Sequence, residues 1–349
     1  MAHIKRIMIE EIRRRKFNVS VKGKSGGLNN ELTLSRVNVL TGCNGSFKTS
    51  ILEALAASLL MLTDPSRAQS LFTVASTLRM DEFWLYRLLN DGFKLMVDDV
   101  EVKTTSIEEL IKLQQPSFSA QPLMPVNPFT KAAIAEKGNK RGFLRVDVIP
   151  VSMFPQQVQY SINITVNKID GVNYDFIALS TPNPLTPQFI GSLMKIVDYA
   201  KAIKLFNKVF EGVEISFMGL KPDEFDKHNI VFVVKDGERP IQYLGSGYLG
   251  LALMVLAASR EIVMYDNVEL HMHPWLMNKV AELMSDTKDV QWIITTQSSE
   301  MLNAMLNNVD LDELLVIESN ARGLLRIYDG REASRRVGEL NEDLRGNCL

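Results

Sequence analysis

Gly42, Gly45, Lys48 and Thr49 stand close together in RVNVLTGCNGSFKTSILEAL. Glycine, lysine and a hydroxyl residue at this spacing, between a β-prone run and a helical one, are what a phosphate-cradling loop requires. Backbone N–H groups of such a loop and the N-terminus of the next helix point at phosphate oxygens. Lys48 would reach the β- and γ-phosphates, and the Thr49 hydroxyl would ligate Mg²⁺. Gly42, Cys43, Asn44, Gly45, Ser46, Phe47, Lys48, Thr49 and Ser50 are therefore candidate ATP-binding residues. One position departs from G-x-x-x-x-G-K-[ST]: Phe47 stands where glycine is expected. Phenylalanine disfavours positive φ, so either the backbone there is ordinary or the loop is distorted and holds phosphate less well. The plainer alternative is a glycine-rich turn opening an ordinary helix.

If Lys48 holds phosphates, a second strand should end in an aspartate that positions Mg²⁺. The run IVMYD, Ile262–Asp266, fits. Hydrolysis also needs a group to orient the attacking water, usually a glutamate directly after that aspartate. Asn267 occupies the position and cannot act as a base. Glu269 is the nearest acid and serves only if the turn brings it round to the γ-phosphate. His271 and His273 have a spacing open to metal ligation, but no third or fourth ligand accompanies them, and Pro274 suits the first turn of a helix. Thr295–Ser299, TTQSS, follows a strand at the end where open α/β sheets place ligands. Gln297 there either senses a γ-phosphate or belongs to an ordinary polar loop. Ser246 and Gly247, in YLGSGYLG, open an apolar helix in a manner suited to an anion, a signal as weak as any lone GxG.

The elements that must position these residues are legible in outline. Short apolar runs at His3–Ile9 and Glu31–Thr41 read as strands, and Ile51, Leu52, Leu55, Leu59 and Leu62 give Lys48–Leu62 a buried helical face. A helical piece at Glu82–Leu89 precedes Pro116, Pro122, Pro125 and Pro128, a cluster typical of a loop or insertion. Gln157–Ala178 reads as strands around a turn at Asp170-Gly171, and Pro187–Phe210 as helical. The last third alternates again: a strand at Ile230–Val234, a glycine-rich turn at Gly245–Gly250, a helix, a strand at Ile262–Tyr265, a helix at Pro274–Met284, and strands at Val290–Thr295 and Leu314–Ile317. Such alternation predicts a parallel or mixed sheet flanked by helices.

The 349 residues suffice for two or three domain-sized units or one large domain with an insertion. Lys plus Arg (39) nearly balance Asp plus Glu (41), so no global field demands a nucleic acid or an anionic membrane. Arg13, Arg14, Arg15 and Lys16 form a short basic run that suits DNA phosphates or, more simply, a solvated strand end. Cys43 and Cys348 lie at opposite ends of the chain, from which we expect no disulfide framework and a cytoplasmic setting. No apolar stretch reaches the roughly 18 residues of a membrane span, and the N-terminus has no secretory pattern.

Taken in order, these segments resemble the ABC-type head ATPases, the group that includes SMC, RecF and OLD-type proteins, and in particular the compact prokaryotic AAA-domain proteins related to abortive-infection ATPases. IKRIMIEEI resembles their opening strand and LTLSRVNVLTGCNGSFKTSILEAL their strand, Walker A loop and helix. LGSGYLG resembles the signature motif, VMYDNVELHMHP the Walker B segment that often reads IDEPEIHLHP, and IITTQSSEML the switch that often reads TTHSPEFL. The resemblance implies an α/β P-loop head with a mixed sheet, its nucleotide lobe in residues 1–62 and 230–349 and an inserted α+β region in 63–229. It implies a homodimer that sandwiches two ATP molecules, with Ser246 and Gly247 touching the γ-phosphate held by the other subunit. Asp266 would support Mg²⁺, and Gln297 would stand where a switch histidine usually lies. Phe47, Asn267 and Gln297 depart from the pattern at catalysis, so ATP binding with slow turnover is expected, in a switch that reports to DNA or to an effector protein. A pseudo-ATPase scaffold is the alternative.

Overall fold

The apolar runs that end at Thr41, Asp266, Thr296 and Ser319 are neighbouring strands of one sheet, so their C-terminal ends share one edge. The computed structural model describes residues 3–21, 30–114, 129–154, 157–181, 185–211, 215–222, 228–234, 237–240, 243 and 245–345. The chain opens with β1 (Arg6–Ile12), β2 (Arg15–Lys16), β3 (Asn18–Val21), β4 (Glu31–Thr33) and β5 (Val37–Thr41). Helices α1 (Lys48–Leu60), α2 (Pro65–Ala75) and α3 (Trp84–Asp91) follow, then β6 (Phe93–Val97), β7 (Val100–Thr105) and α4 (Ile107–Gln114). The middle of the chain supplies β8 (Thr130–Lys137), β9 (Lys140–Phe154), β10 (Gln157–Asn167), β11 (Phe176–Ser180), α5 (Pro187–Ile196), α6 (Tyr199–Val209), β12 (Ile215–Pro222), β13 (His228–Val234) and β14 (Gly237–Pro240). The last third is α7 (Ser246–Ala257), β15 (Ile262–Asp266), α8 (Pro274–Asp286), β16 (Gln291–Thr296), α9 (Ser299–Asn308), β17 (Leu314–Ser319), β18 (Leu324–Asp329) and α10 (Gly330–Gly338).

A seven-stranded sheet runs β11-β15-β16-β5-β17-β18-β3, parallel except where β18 pairs antiparallel with β17. Every residue of β5, β15 and β16 is buried. These strands lie in the middle of the sheet, which is why they read as continuous apolar runs and not as alternating ones. A second, antiparallel sheet runs β10-β9-β8-β7-β6-β1-β2, with β4 also paired to β1, and β12, β13 and β14 form a third. The result is the expected α/β architecture with a mixed sheet flanked by helices. Among the described residues no helix is long and apolar enough to cross a membrane.

Several local expectations are corrected. The run Glu31–Thr41 is two strands in two sheets, because the chain turns at Ser35, where the Asn38 amide both accepts from the Ser35 N–H (2.9 Å) and donates to its carbonyl (2.8 Å). The strands on either side of Asp170-Gly171 are not hairpin partners: β10 pairs with β9, and β11 crosses to β15. Pro187–Phe210 is two helices, since Asp198 caps a new one by accepting from Ala200 and Lys201. Gly245–Gly250 is no open turn, for α7 begins at Ser246. The stretch with Pro116, Pro122, Pro125 and Pro128 lies outside the described residues.

Candidate nucleotide site

Between β5 and α1 the backbone takes positive φ at Gly42 (146°), Gly45 (79°) and Phe47 (64°). At Gly42 a Cβ would lie 2.2 Å from the Ser319 carbonyl oxygen on β17, so no other residue fits. Phe47 does adopt the left-handed conformation that suits glycine, at a cost of about 1–2 kcal/mol. Its ring offsets part of this by meeting Phe17 edge-on (5.9 Å between centroids) and by lying under the Arg15 guanidinium (5.7 Å). The loop therefore keeps its course in spite of the substitution.

Lys48 is buried, and its ammonium donates to the carbonyls of Gly42 (2.7 Å) and Cys43 (2.9 Å) and to Ser46 Oγ (3.3 Å). Burial pushes its pKa down, while Asp266 and Glu269 oppose the shift. Thr49 Oγ1 donates to Asp266 Oδ2 at 2.9 Å, and Thr295 Oγ1 to Asp266 Oδ1 at 2.6 Å. Burial pushes the Asp266 carboxyl above its ordinary range, against those two hydrogen bonds. Mg²⁺ binds oxygen at about 2.0–2.1 Å in octahedral geometry, which sets adjacent ligand oxygens roughly 2.9 Å apart. The spacing of Thr49 Oγ1 and Asp266 Oδ2 fits that edge, and both are hard oxygen donors. These two residues would hold the ion, which would neutralise phosphate charge.

Asn267 sits at φ 52°, with its N–H on Thr295 Oγ1 (2.8 Å) and its side-chain amide on Asp266 Oδ2 (3.0 Å). Gln297 donates its N–H to Glu269 Oε1 (2.7 Å) and its side-chain amide to Asn267 Oδ1 (3.4 Å). Glu269 thus holds the loop after β16, and its Oε2 is buried with no hydrogen-bond partner. His273 accepts from the Trp275 N–H and opens α8; among the described residues no group of three or more His, Cys, Asp or Glu side chains could hold a metal ion. Ser246 is exposed at the tip of α7 and does not line the cavity that Lys48 and Thr49 share. Gly247 is a packing glycine: a Cβ there would lie 2.9 Å from the His271 carbonyl and 2.7 Å from Leu276 Cδ1.

Cys43 corrects the expectation for the cysteines, since it is disulfide-bonded. Distance along the sequence was a poor guide, because the C-terminal segment returns to the loop and the Arg345 carbonyl lies 3.6 Å from Cys43 Sγ. Cys348 lies outside the described residues.

The cavity over the loop has a volume of about 720 Å³ and is lined by Asn44 to Ser50, Asn267 and Gln297, and also by Arg13, Arg79, Asp81, Trp84 and Arg87. The last five were not anticipated as parts of one site. Arg13 belongs to the short basic run, but its guanidinium turns inward to Glu53 (3.2 Å) and also pairs with Asp91. Arg79 bonds Glu53 (3.0 Å) and Ser50 Oγ (3.0 Å). Trp84 is fully buried, and its indole N–H has no partner. One signal was available: Glu53 lies in the apolar helix α1, and a buried carboxylate demands cationic partners from elsewhere in the chain.

The sequence matches no protein-family profile and no curated protein. Among solved structures the fold is similar to the SMC head domain from Thermotoga maritima, at 12% identity over 94% of this chain and 99% of that one, with a TM-score of 0.39. An Smc head domain with an extended coiled coil from Pyrococcus furiosus, bound to the C-terminal domain of ScpA, gives 10% identity over 98% and 100%, with a TM-score of 0.46. An SMC head bound to the C-winged helix domain of ScpA gives 15% identity over 94% and 97%, with a TM-score of 0.43. The likeness is to SMC heads, as P-loop α/β folds, and it is one of fold alone.

Proposed function

We propose that the chain binds ATP·Mg²⁺ through Gly42–Ser50 and Asp266 and acts as a nucleotide-gated dimer with slow turnover. The observation that carries this reading is the arrangement of Thr49, Asp266 and Thr295 beside Lys48. A hydroxyl, a buried carboxylate and an ammonium converge there at the C-terminal edge of a parallel sheet. The division into a nucleotide lobe (1–62 and 230–349) and an accessory region (63–229) belongs to the same reading, with strands exchanged across it, β11 pairing with β15 and β1 with β6. DNA or an effector protein is the recipient of the signal. Ser246, exposed at the tip of α7 and outside its own chain's cavity, suits a role on the partner's nucleotide, whereas Gly247 is buried against His271 and Leu276 and serves packing.

Slow turnover follows from the amides of Asn267 and Gln297, neither of which can take a proton from water. Glu269, the remaining acid, is engaged by the Gln297 N–H. These facts also favour a second reading, a scaffold that binds ATP without hydrolysing it. Titration of ATP with Mg²⁺ against wild type and Lys48→Ala, together with sedimentation and phosphate release, tests both. The proposal expects binding and ATP-dependent dimerisation in wild type and neither in Lys48→Ala. Equal behaviour of the two proteins would overturn it, and dimerisation with no phosphate release favours the scaffold.

A further inference from the structure

The antiparallel sheet ends in a strand with little protection. Among the described residues β10 pairs only with β9, so the outward N–H and C=O groups of Tyr160–Asn167 face away from any strand. Exposed edges are normally blunted by charges, proline or bulges, because an unpaired strand is a template for another chain. QVQYSINITVN, Gln157–Asn167, contains no charged residue and no proline. The register irregularity with β9 lies before Tyr160, which leaves the stretch from Tyr160 onward regular.

Side chains on this stretch alternate. Ile162, Ile164 and Val166 are half-buried against the core, while Ser161, Asn163, Thr165 and Asn167 are exposed. Tyr160 is 47% exposed and pairs with Pro150 of β9, while Ile149, which pairs with Ser161 on the opposite face, is 43% exposed. The aliphatic side of the strand is continuous with a groove of about 690 Å³, to which Tyr160, Ile162, Phe72, Met80, Phe83 and Phe189 contribute. An added strand would complete the backbone pairing and set every second side chain towards that groove.

We propose that this edge pairs with the same edge of a second copy, antiparallel about a two-fold axis at Asn163. Self-pairing must keep like faces together, so opposed residues have numbers of the same parity. A dyad at Asn163 sets Ile162 opposite Ile164 of the partner subunit and Tyr160 opposite Val166 of the partner subunit, with Ser161 facing Thr165 of the partner subunit on the polar side. Six aliphatic side chains and two tyrosines then meet on one face, and no like charges oppose each other along the paired stretch. The uncharged edge suits a neutral strand of the same alternation, which β10 itself supplies; Asp81 and Glu82 also line the groove, and a neutral strand brings no carboxylate against them. The contact is closed and isologous, so it ends at two copies. It is independent of the nucleotide-gated contact proposed above, since β10 is in a different sheet from β5 and the loop that follows it.

Sedimentation without nucleotide, across a concentration series, tests the proposal on wild type, Lys48→Ala and Thr165→Lys. Thr165 is exposed, so the lysine leaves the core intact while adding two charges to the paired edges. The expected result is a nucleotide-independent dimer in wild type and Lys48→Ala, weakened at least about tenfold in Thr165→Lys. Asn163→Cys, in a Cys43→Ser, Cys348→Ser background, should form a covalent dimer on mild oxidation, because residues opposed across an antiparallel pair lie within disulfide reach. A wild type that stays monomeric without nucleotide, a Thr165→Lys protein that dimerises as wild type does, or the failure of Asn163→Cys to cross-link would each overturn the proposal. Loss of only the ATP-dependent dimer would instead refute the nucleotide reading.

Discussion

Glu53 offers the most exacting test of how the nucleotide cavity is held together. Its side chain is 0% exposed on α1, and it accepts from Arg13 (3.2 Å) and from Arg79 (3.0 and 3.3 Å). The two sides of this triad are not equivalent. Arg79 is 42% exposed and Arg13 is 21% exposed and also bonded to Asp91, so both cations keep partners or water when the carboxylate is removed. Glu53→Gln preserves volume and should cost only on the order of 1–2 kcal/mol. Removing both arginines strands a fully buried carboxylate, and Arg13→Ala with Arg79→Ala should cost about 3–5 kcal/mol. Adding Glu53→Met to that double variant should recover most of the loss, because an apolar side chain suits the vacated site. Urea unfolding, with midpoints compared at constant slope, measures all three. If the double arginine variant is no less stable than Glu53→Gln, or if Glu53→Met recovers nothing, then burial of the carboxylate is not what governs this wall of the cavity.

Other expected outcomes concern catalysis and the loop. Asn267→Glu should raise the rate of phosphate release by about 10²-fold or more if the missing base limits turnover; an unchanged rate would place the limit elsewhere. Burial raises the Asp266 carboxyl, and the ion needs that carboxylate ionised. Mg²⁺-dependent ATP affinity should therefore fall with falling pH earlier than an ordinary aspartate allows, and the same shift makes a small stability contribution that declines as pH rises through the raised value. Calorimetric titration across mildly acidic pH checks this, with Asp266→Asn expected to abolish the dependence. Gly42→Ala should destabilise by about 1–3 kcal/mol, since its Cβ meets the fixed Ser319 carbonyl. Gly45→Ala should cost only about 1 kcal/mol of backbone strain, because no atom lies near. Equal losses in urea unfolding would contradict that distinction.

The loop and the acidic strand were legible because each is local: a few residues of defined type between a strand and a helix. The strands that support them were legible for a related reason, as burial on both faces leaves an unbroken apolar run such as Ile262–Tyr265. The antiparallel sheet was less so. Lys140–Phe154 contains Lys140, Arg141, Arg145, Asp147 and Pro150, which obscure a strand whose order comes from pairing on both sides. Partners were invisible where they depend on long-range closure. Nothing local in Phe176–Ser180 says that it pairs with β15, and nothing in Arg79 or Trp84 says that they line one cavity with Lys48. Phe47 is the informative exception: its identity argued for an altered loop, whereas contacts from Phe17 and Arg15, thirty or so residues earlier, hold it in a glycine-like conformation.

The central place of β5 has a consequence for how function is lost on heating. It is bonded to β16 on one side and to β17 on the other, so its amides can exchange with solvent only when one of those pairings opens. Thr41, Thr295 and Ser319 stand at the ends of the same three strands. The groups around the phosphate loop are thus carried by a slow-opening unit, while the hairpin of β9 and β10, at the rim of the antiparallel sheet, opens earlier in a single copy. Hydrogen exchange should find β5 protected to the full unfolding free energy, and thermal loss of nucleotide binding should coincide with global melting.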